Sequence, residues 1–394
     1  MRGLPWRLVC SLAFLLPTVF HAQASYPLAA LKYSPIQTAV NATISFPAES
    51  ASQHGSRMRK HAEAFLLQRL APGQSALGQS PAMLRLRGMQ QRIAVPHLLS
   101  SDQPWQSVGP AQIVTQQFGD VTGRVTSIAI APWDASGNTV YLGSTGGGVW
   151  RSTNAAASDA STVTWQPLTD NLPAYSGVNI TSLSIGAVSV QPGTNTNDVV
   201  LAGTGDPNDV LDSYYGAGIL RSADGGTTWS LITQSSDGFS GGITNYSFAG
   251  DAFSGFAWST TNTNLVVAAV TDSYDGFINN INNNGTDNVT EAGLYYSTDA
   301  GQTWHLSTIE DGPNQVIQSS QTTVPSVFPG VPVSSVVWNP MRQMFYAAIQ
   351  YHGYYQSPDG VTWTRMTNQP GTALTAGNCP FDTQSNSCTI FRGV

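Results

Sequence analysis

From Trp105 onward, short runs rich in Val, Ile, Thr, Tyr and Trp alternate with stretches of Gly, Asn, Ser, Asp and Pro. Runs this short, bounded by turn-forming residues, predict strands and not helices. They fall into four groups of four. The first is Val125–Ile130, Thr139–Ser144, Val149–Ser152 and Thr164–Leu168, and the second is Thr181–Val190, Val199–Gly203, Ile219–Ser222 and Thr228–Ile232. The third is Ala252–Trp258, Leu265–Thr271, Leu294–Ser297 and Thr303–Leu306, and the fourth is Val333–Trp338, Met344–Gln350, Tyr354–Ser357 and Thr362–Met366. Before residue 103 the period changes. Arg57 to Leu70 has apolar residues at helical spacing with basic residues between them, stopped by Ala71-Pro72-Gly73, and Pro81 to Arg92 is a second helical segment.

Each group of strands carries the same phrase between its third and fourth members. The copies are Ser222-Ala-Asp224-Gly-Gly226-Thr-Thr228-Trp229, Ser297-Thr-Asp299-Ala-Gly301-Gln-Thr303-Trp304 and Ser357-Pro-Asp359-Gly360-Val-Thr362-Trp363. A degraded copy, Ser152-Thr-Asn154, is separated from its Thr164-Trp165 by an Ala-rich insertion. The chain must reverse tightly there. An Asp side chain accepts hydrogen bonds from turn N–H groups, Gly supplies a positive φ, and the Trp ring covers the turn. Four-stranded units repeated in this way predict an all-β fold, a β-propeller of four-stranded blades.

The phrase Ser-x-Asp-x-Gly-x-Thr-Trp resembles the Asp-box of the sialidase, sortilin and xyloglucanase-type glycosyl hydrolase propellers. Gly123-Arg124-Val125-Thr126 through Gly146-Gly147-Gly148-Val-Trp150-Arg151-Ser152 is similar to the opening blade of secreted proteins of that kind. The resemblance covers residues 105 to 394 and implies that Asp224, Asp299 and Asp359 are turn residues, remote from any active centre. Trp105-Gln106-Ser107-Val108 echoes Trp165-Gln166-Pro167-Leu168 as an outer strand without inner partners, and Cys388-Thr-Ile-Phe391 reads as the inner strand of a fifth blade. About four and a half blades do not close a ring, so the propeller is expected to be incomplete, with the missing blades supplied by a longer chain.

Composition refines this picture. Charged residues are 10%, while Gly (38), Pro (23), Trp (10) and Tyr (14) are plentiful, which suits strands and turns and excludes a helical enzyme or a disordered tail. Arg2 and Arg7, the apolar stretch Leu8 to Phe20, and Ala22-Gln23-Ala24 form a secretory signal, so the mature protein is expected to be secreted. The domains read as residues 1–24 signal peptide, 25–103 partly helical linker or pro-segment, and 104–394 propeller. No later stretch reaches ~18 uninterrupted apolar residues, so no transmembrane segment is expected. Residues 1–100 hold 10 of the 16 Lys and Arg but 2 of the 23 Asp and Glu, a balance of +8, and the remainder carries −15. An acidic body excludes nucleic acid as a partner. Cys379 and Cys388, the pair left after the signal, predict one disulfide, and the six His residues show no ligand spacing.

In a propeller the loops from strand two to strand three, and from strand four to the next blade, surround one mouth of the channel, where polar residues are candidates for function. Gly203 to Gly216 gathers Asp206, Asn208, Asp209, Asp212, Tyr214 and Tyr215, and Asp272, Tyr274 and Asp275 occupy the matching place one blade on. Such carboxylates suit Ca²⁺, which wants six to eight oxygens, or sugar hydroxyls, with the Tyr rings stacking on sugar faces. The same residues also simply form loops. Arg124, opening the first inner strand, is the arginine placed for this mouth. Where xyloglucanase-type hydrolases carry an Asp before the Gly-Gly of the first blade, this chain has Thr145, which cannot act as a carboxylate base. That family's second carboxylate falls beyond Val394, and no sialidase arginine triad is found. The sequence therefore reads as a binding module for a glycan or an extracellular protein; the alternative is a glycoside hydrolase.

Overall fold

In the computed structural model, the described residues are 113–115 and 119–121 for backbone, then 123–170, 172–176, 181–193, 199–207, 213–237, 245–273, 292–310, 316–318, 331–350, 352–367 and 369. The expected signal peptide, the helices before residue 103, the orphan strand at Trp105, the half-blade strand at Cys388 and the disulfide pair Cys379 and Cys388 all lie outside these residues. Among the described residues, no helix is long and apolar enough to cross a membrane.

A hairpin of β1 (Ile113–Thr115) and β2 (Gly119–Val121) precedes the blades. The first blade is β3 (Val125–Ile130), β4 (Val140–Ser144), β5 (Gly148–Ser152) and β6 (Gln166–Pro167). The second is β7 (Ile185–Val190), β8 (Val200–Thr204), β9 (Ile219–Ser222) and β10 (Ser230–Ile232). The third is β11 (Ala252–Trp258), β12 (Val266–Thr271), β13 (Gly293–Ser297) and β14 (His305–Leu306). After β15 (Thr308–Glu310) and β16 (Val316–Gln318) comes the fourth: β17 (Val333–Asn339), β18 (Met344–Ile349), β19 (Gly353–Ser357) and β20 (Thr362–Arg365). Each blade is an antiparallel meander in sequence order. The innermost strands pack in succession, β3 on β7, β7 on β11 and β11 on β17. That radial succession is what makes the sheets the blades of a β-propeller. Three buried clusters fill the structure, and inner-strand residues such as Ile185, Phe253 and Val333, which face the neighbouring blade, are fully buried within them.

β20 starts at Thr362 as expected, because its first residues pair with β15. The fourth strands of the first three blades begin later than their apolar pattern predicts, for one physical reason. The repeated turn takes the threonine N–H that would otherwise enter the ladder. Asp299 accepts from the Ser297 hydroxyl at 2.7 Å, the Thr303 N–H at 2.9 Å and the Thr303 hydroxyl at 2.6 Å. Asp224 makes the same three bonds with Ser222 and Thr228, and Asp359 accepts from Ser357, Val361 and Thr362. The N–H groups of Gly226, Gly301 and Gly360 donate to the serine hydroxyls, and the indole N–H of Trp229, Trp304 and Trp363 caps the carbonyl of the same glycine. Asn154 performs the role in the first blade, accepting from the Thr164 N–H at 2.9 Å across the insertion. β7 also starts later than predicted, because Ser182 and Ser184 bond the 205–215 loop instead of β8, while the Leu183 carbonyl accepts the Gly148 N–H of the first blade. The sequence did not reveal β15, which runs parallel to β20 and widens the fourth blade at its outer edge.

Arg151 donates to the Gly225 carbonyl and Arg221 to the Ala300 carbonyl, each 2.9 Å away. Each joins the turn of one blade to that of the next.

Burial pushes the Asp299 carboxyl up, but its hydrogen bonds from Thr303, Ser297 and Gln302 outweigh that and hold it below the ordinary 3.8; Asp224 is held down in the same way. Between the lowered folded value and the unfolded one, the unfolded chain binds more protons, so stability rises with pH there. These turns therefore contribute fully above about pH 5 and lose their contribution as pH falls through the folded values. Thermal unfolding measured over this acid range should show Tm falling, and Asp299→Asn, which keeps the acceptor but not the charge, should flatten the slope. An unchanged slope in that variant would show that the turn carboxylate does not set the acid sensitivity.

Candidate functional site

At the end of each blade opposite the repeated turns lie the strand-two-to-three loops and the chain leading into each inner strand. The first two blades meet there through three side chains. Arg124 stands just before β3, Thr145 just after β4, and Asp206 just after β8. The Arg124 guanidinium forms an ion pair with Asp206 Oδ2, and the Thr145 hydroxyl donates to the same oxygen at 2.7 Å. Arg124 Nε in turn donates to Thr145 Oγ1 at 3.0 Å, and the Thr145 N–H to the Arg124 carbonyl at 3.0 Å.

Backbone geometry holds Asp206 in place. Gly205 adopts φ 89°, a conformation open to glycine, and its N–H donates to the Ser184 carbonyl at 2.7 Å. The Asp206 N–H donates to the Tyr214 carbonyl at 2.9 Å, closing the loop into a bridge. Gly216 donates to the Asp251 carbonyl at 2.7 Å, tying the loop to the chain that enters the third blade.

This arrangement corrects two expectations. The Asp206 carboxylate does not face solvent: its side chain is 5% exposed, whereas that of Arg124 is 39% exposed. Among the described residues, the mouth presents a guanidinium backed by a carboxylate. Tyr215 offers no stacking platform, because it is 2% exposed and belongs to the core beneath the first two blades. Tyr214 is half-buried beside Asp206, and Asp272 is half-buried at the end of β12, one blade on. Asn208, Asp212 and Tyr274 lie outside the described residues. Among the described residues, no group of three or more His, Cys, Asp or Glu gathers to hold a metal ion.

Two participants escaped the sequence reading. Thr145, dismissed as a base, is the hydroxyl that links Arg124 to Asp206. Asp251 is a buried carboxylate at the entrance to β11, with no motif to signal it.

No protein-family model matches the chain, and no curated protein does. Among solved structures it is similar to an ancestral GH74 enzyme, with 23% identity over 64% of this chain and 25% of that one, TM-score 0.39. It is similar to the GH74 xyloglucanase from Xanthomonas campestris, with 17% identity over 61% of this chain and 38% of that one, TM-score 0.28. It is also similar to YCF48 bound to D1 peptide, with 12% identity over 63% and 57%, TM-score 0.30. The chain thus spans less than two thirds of the length of each. At these scores the likeness adds nothing to the fold that the sheets themselves display.

Proposed function

We propose that this protein is a secreted propeller module that binds a glycan or an extracellular protein at the mouth between its first two blades, with Arg124 as the contact. One observation carries this reading: the ion pair there is oriented carboxylate inward and guanidinium outward. Residues 123–369 contain five arginines and no lysine. Arg151 and Arg221 serve turn carbonyls of neighbouring blades, while Arg124 is exposed at the mouth. A guanidinium fork suits a ligand group rich in acceptors, such as a carboxylate, a sulfate or paired hydroxyls. The signal-like N-terminus and the acidic body favour an exported, non-nucleic-acid partner.

The glycoside hydrolase reading is less well served. Cleavage needs a carboxyl within reach of the scissile bond and able to exchange its proton. Asp206 Oδ2 is occupied by Arg124 and Thr145 and lies behind the guanidinium.

The test is an array of acidic and neutral glycans and peptides probed with the full chain, with reducing-sugar release assayed in parallel. Arg124→Gln combined with Asp206→Asn removes both charges without leaving one buried alone. That double variant should lose about tenfold or more in affinity, the worth of one charge-assisted hydrogen bond, with Tm close to the parent. Undiminished binding, or release of sugar from any substrate, would overturn the proposal.

A further inference from the structure

Three side chains at the mouth close a ring of hydrogen bonds, and their chemistry fixes the direction of every bond in it. Arg124 Nε donates to Thr145 Oγ1 at 3.0 Å, and the Thr145 hydroxyl donates to Asp206 Oδ2 at 2.7 Å. The Arg124 Nη2 group pairs with that same carboxylate oxygen. A hydroxyl has one proton. Thr145 gives it to Asp206 and receives the Nε–H on a lone pair, so it cannot turn toward one partner without losing the other.

A guanidinium is planar, and its Nε–H and one Nη2–H leave from the same edge. With the first on Thr145 and the second on Asp206, both the place of that edge and the tilt of the plane are set. The ion pair alone does not do this. The Arg124 side chain is 39% exposed, and a salt bridge so open to water is screened and leaves a long side chain much of its rotamer freedom. Thr145 is the better anchored partner. It is half-buried, its branched Cβ restricts χ1, and its N–H donates to the Arg124 carbonyl at 3.0 Å. That bond extends the pairing of Val125 with Ser144 by one residue, so Arg124 and Thr145 stand side by side at the end of one ladder. Asp206 reaches them from the next blade.

We infer that Thr145 is the positioning residue of this site: its hydroxyl holds the Arg124 guanidinium in one orientation before any ligand arrives. The orientation follows from the hydrogen bonds themselves. Its consequence for affinity rests on the reading of Arg124 as the contact, since a group ordered in advance need not be immobilised on binding.

Side-chain NMR relaxation of the arginine Nε–H groups in the full chain tests this with no ligand present. The Arg124 Nε–H should be as rigid as the backbone amides of β3 and β4, whereas that of Arg342, exposed between β17 and β18, is mobile. Thr145→Val keeps the shape, removes the hydroxyl and should leave Arg124 as mobile as Arg342. Thr145→Ala should repeat that result, and Thr145→Ser should retain the parent's rigidity. A threonine that served packing alone would not release Arg124 selectively, nor be replaced by serine without loss. The glycan and peptide array then reads the consequence: Thr145→Val should weaken the strongest signal about tenfold, and Thr145→Ser less than about twofold. An Arg124 that is mobile in the parent, or still rigid in both Thr145→Val and Thr145→Ala, would overturn the inference. An array signal unchanged in variants whose Arg124 has been released would instead overturn Arg124 as the contact.

Discussion

Trp304→Ala is expected to destabilise the protein by about 3–5 kcal/mol. The ring is fully buried in the core shared by the second and third blades, beside Phe256, and its indole N–H caps the Gly301 carbonyl at 3.1 Å. The backbone of Gly301 lies against the second blade, since a Cβ there would meet Leu201 Cδ2 at 2.8 Å. The same truncation at Trp165 should cost less than about 1 kcal/mol, because that ring is 38% exposed beside the degraded turn. Urea unfolding of both variants measures the contrast. Equal losses would mean that the four turns are energetically alike and that the insertion in the first costs nothing.

Gly186→Ala should cost about 3 kcal/mol and weaken ligand binding together, a pairing few core substitutions produce. Each inner strand bulges near its start, at Thr126, Gly186, Ser254 and Ser334, and all of these but Gly186 carry a hydroxyl. Thr126 donates to the Gly143 carbonyl at 3.0 Å and to the Ile185 carbonyl of the next blade. Ser254 donates to Ala269 at 3.2 Å and to Val333 of the next blade at 2.6 Å. The second blade has Gly186 instead, since a Cβ there would drive into the Phe253 and Gly205 carbonyl oxygens and approach Pro207 Cδ at 2.8 Å. Those carbonyls belong to backbone, which yields only at a cost. Relief of the clash must move the 205–207 turn, and with it Asp206, away from Arg124. Ser254→Ala removes hydroxyl bonds without any clash and should cost about 1 kcal/mol with binding intact. A Gly186→Ala protein with parental Tm and affinity would refute the link between the bulge and the site.

The blades were legible because strand pattern and turn chemistry agree. Ser222, Asp224, Gly226 and Trp229 announce a reversal, and the flanking apolar runs can pair in one order. Strand ends were less legible, since Thr228 and Thr303 are equally good strand residues and turn residues, and the carboxylate four residues earlier decides between them. The site was half legible. Loop position singled out Arg124 and Asp206 separately, but their pairing joins residues 82 apart and depends on how two blades are docked. Burial of Tyr215 was hidden for the same reason: a tyrosine next to aspartates looks exposed until the neighbouring blade covers it.

The central claim is that Arg124 is the outward-facing contact of a binding site held from behind by Asp206. Mass-spectrometric mapping of phenylglyoxal modification, with and without the ligand identified on the array, tests it most directly. Arg124 should be modified readily in the unliganded protein and protected at saturating ligand, while Arg342, in the hairpin between β17 and β18, is modified equally in both. Modification of Arg124 that persists under saturating ligand would contradict the account.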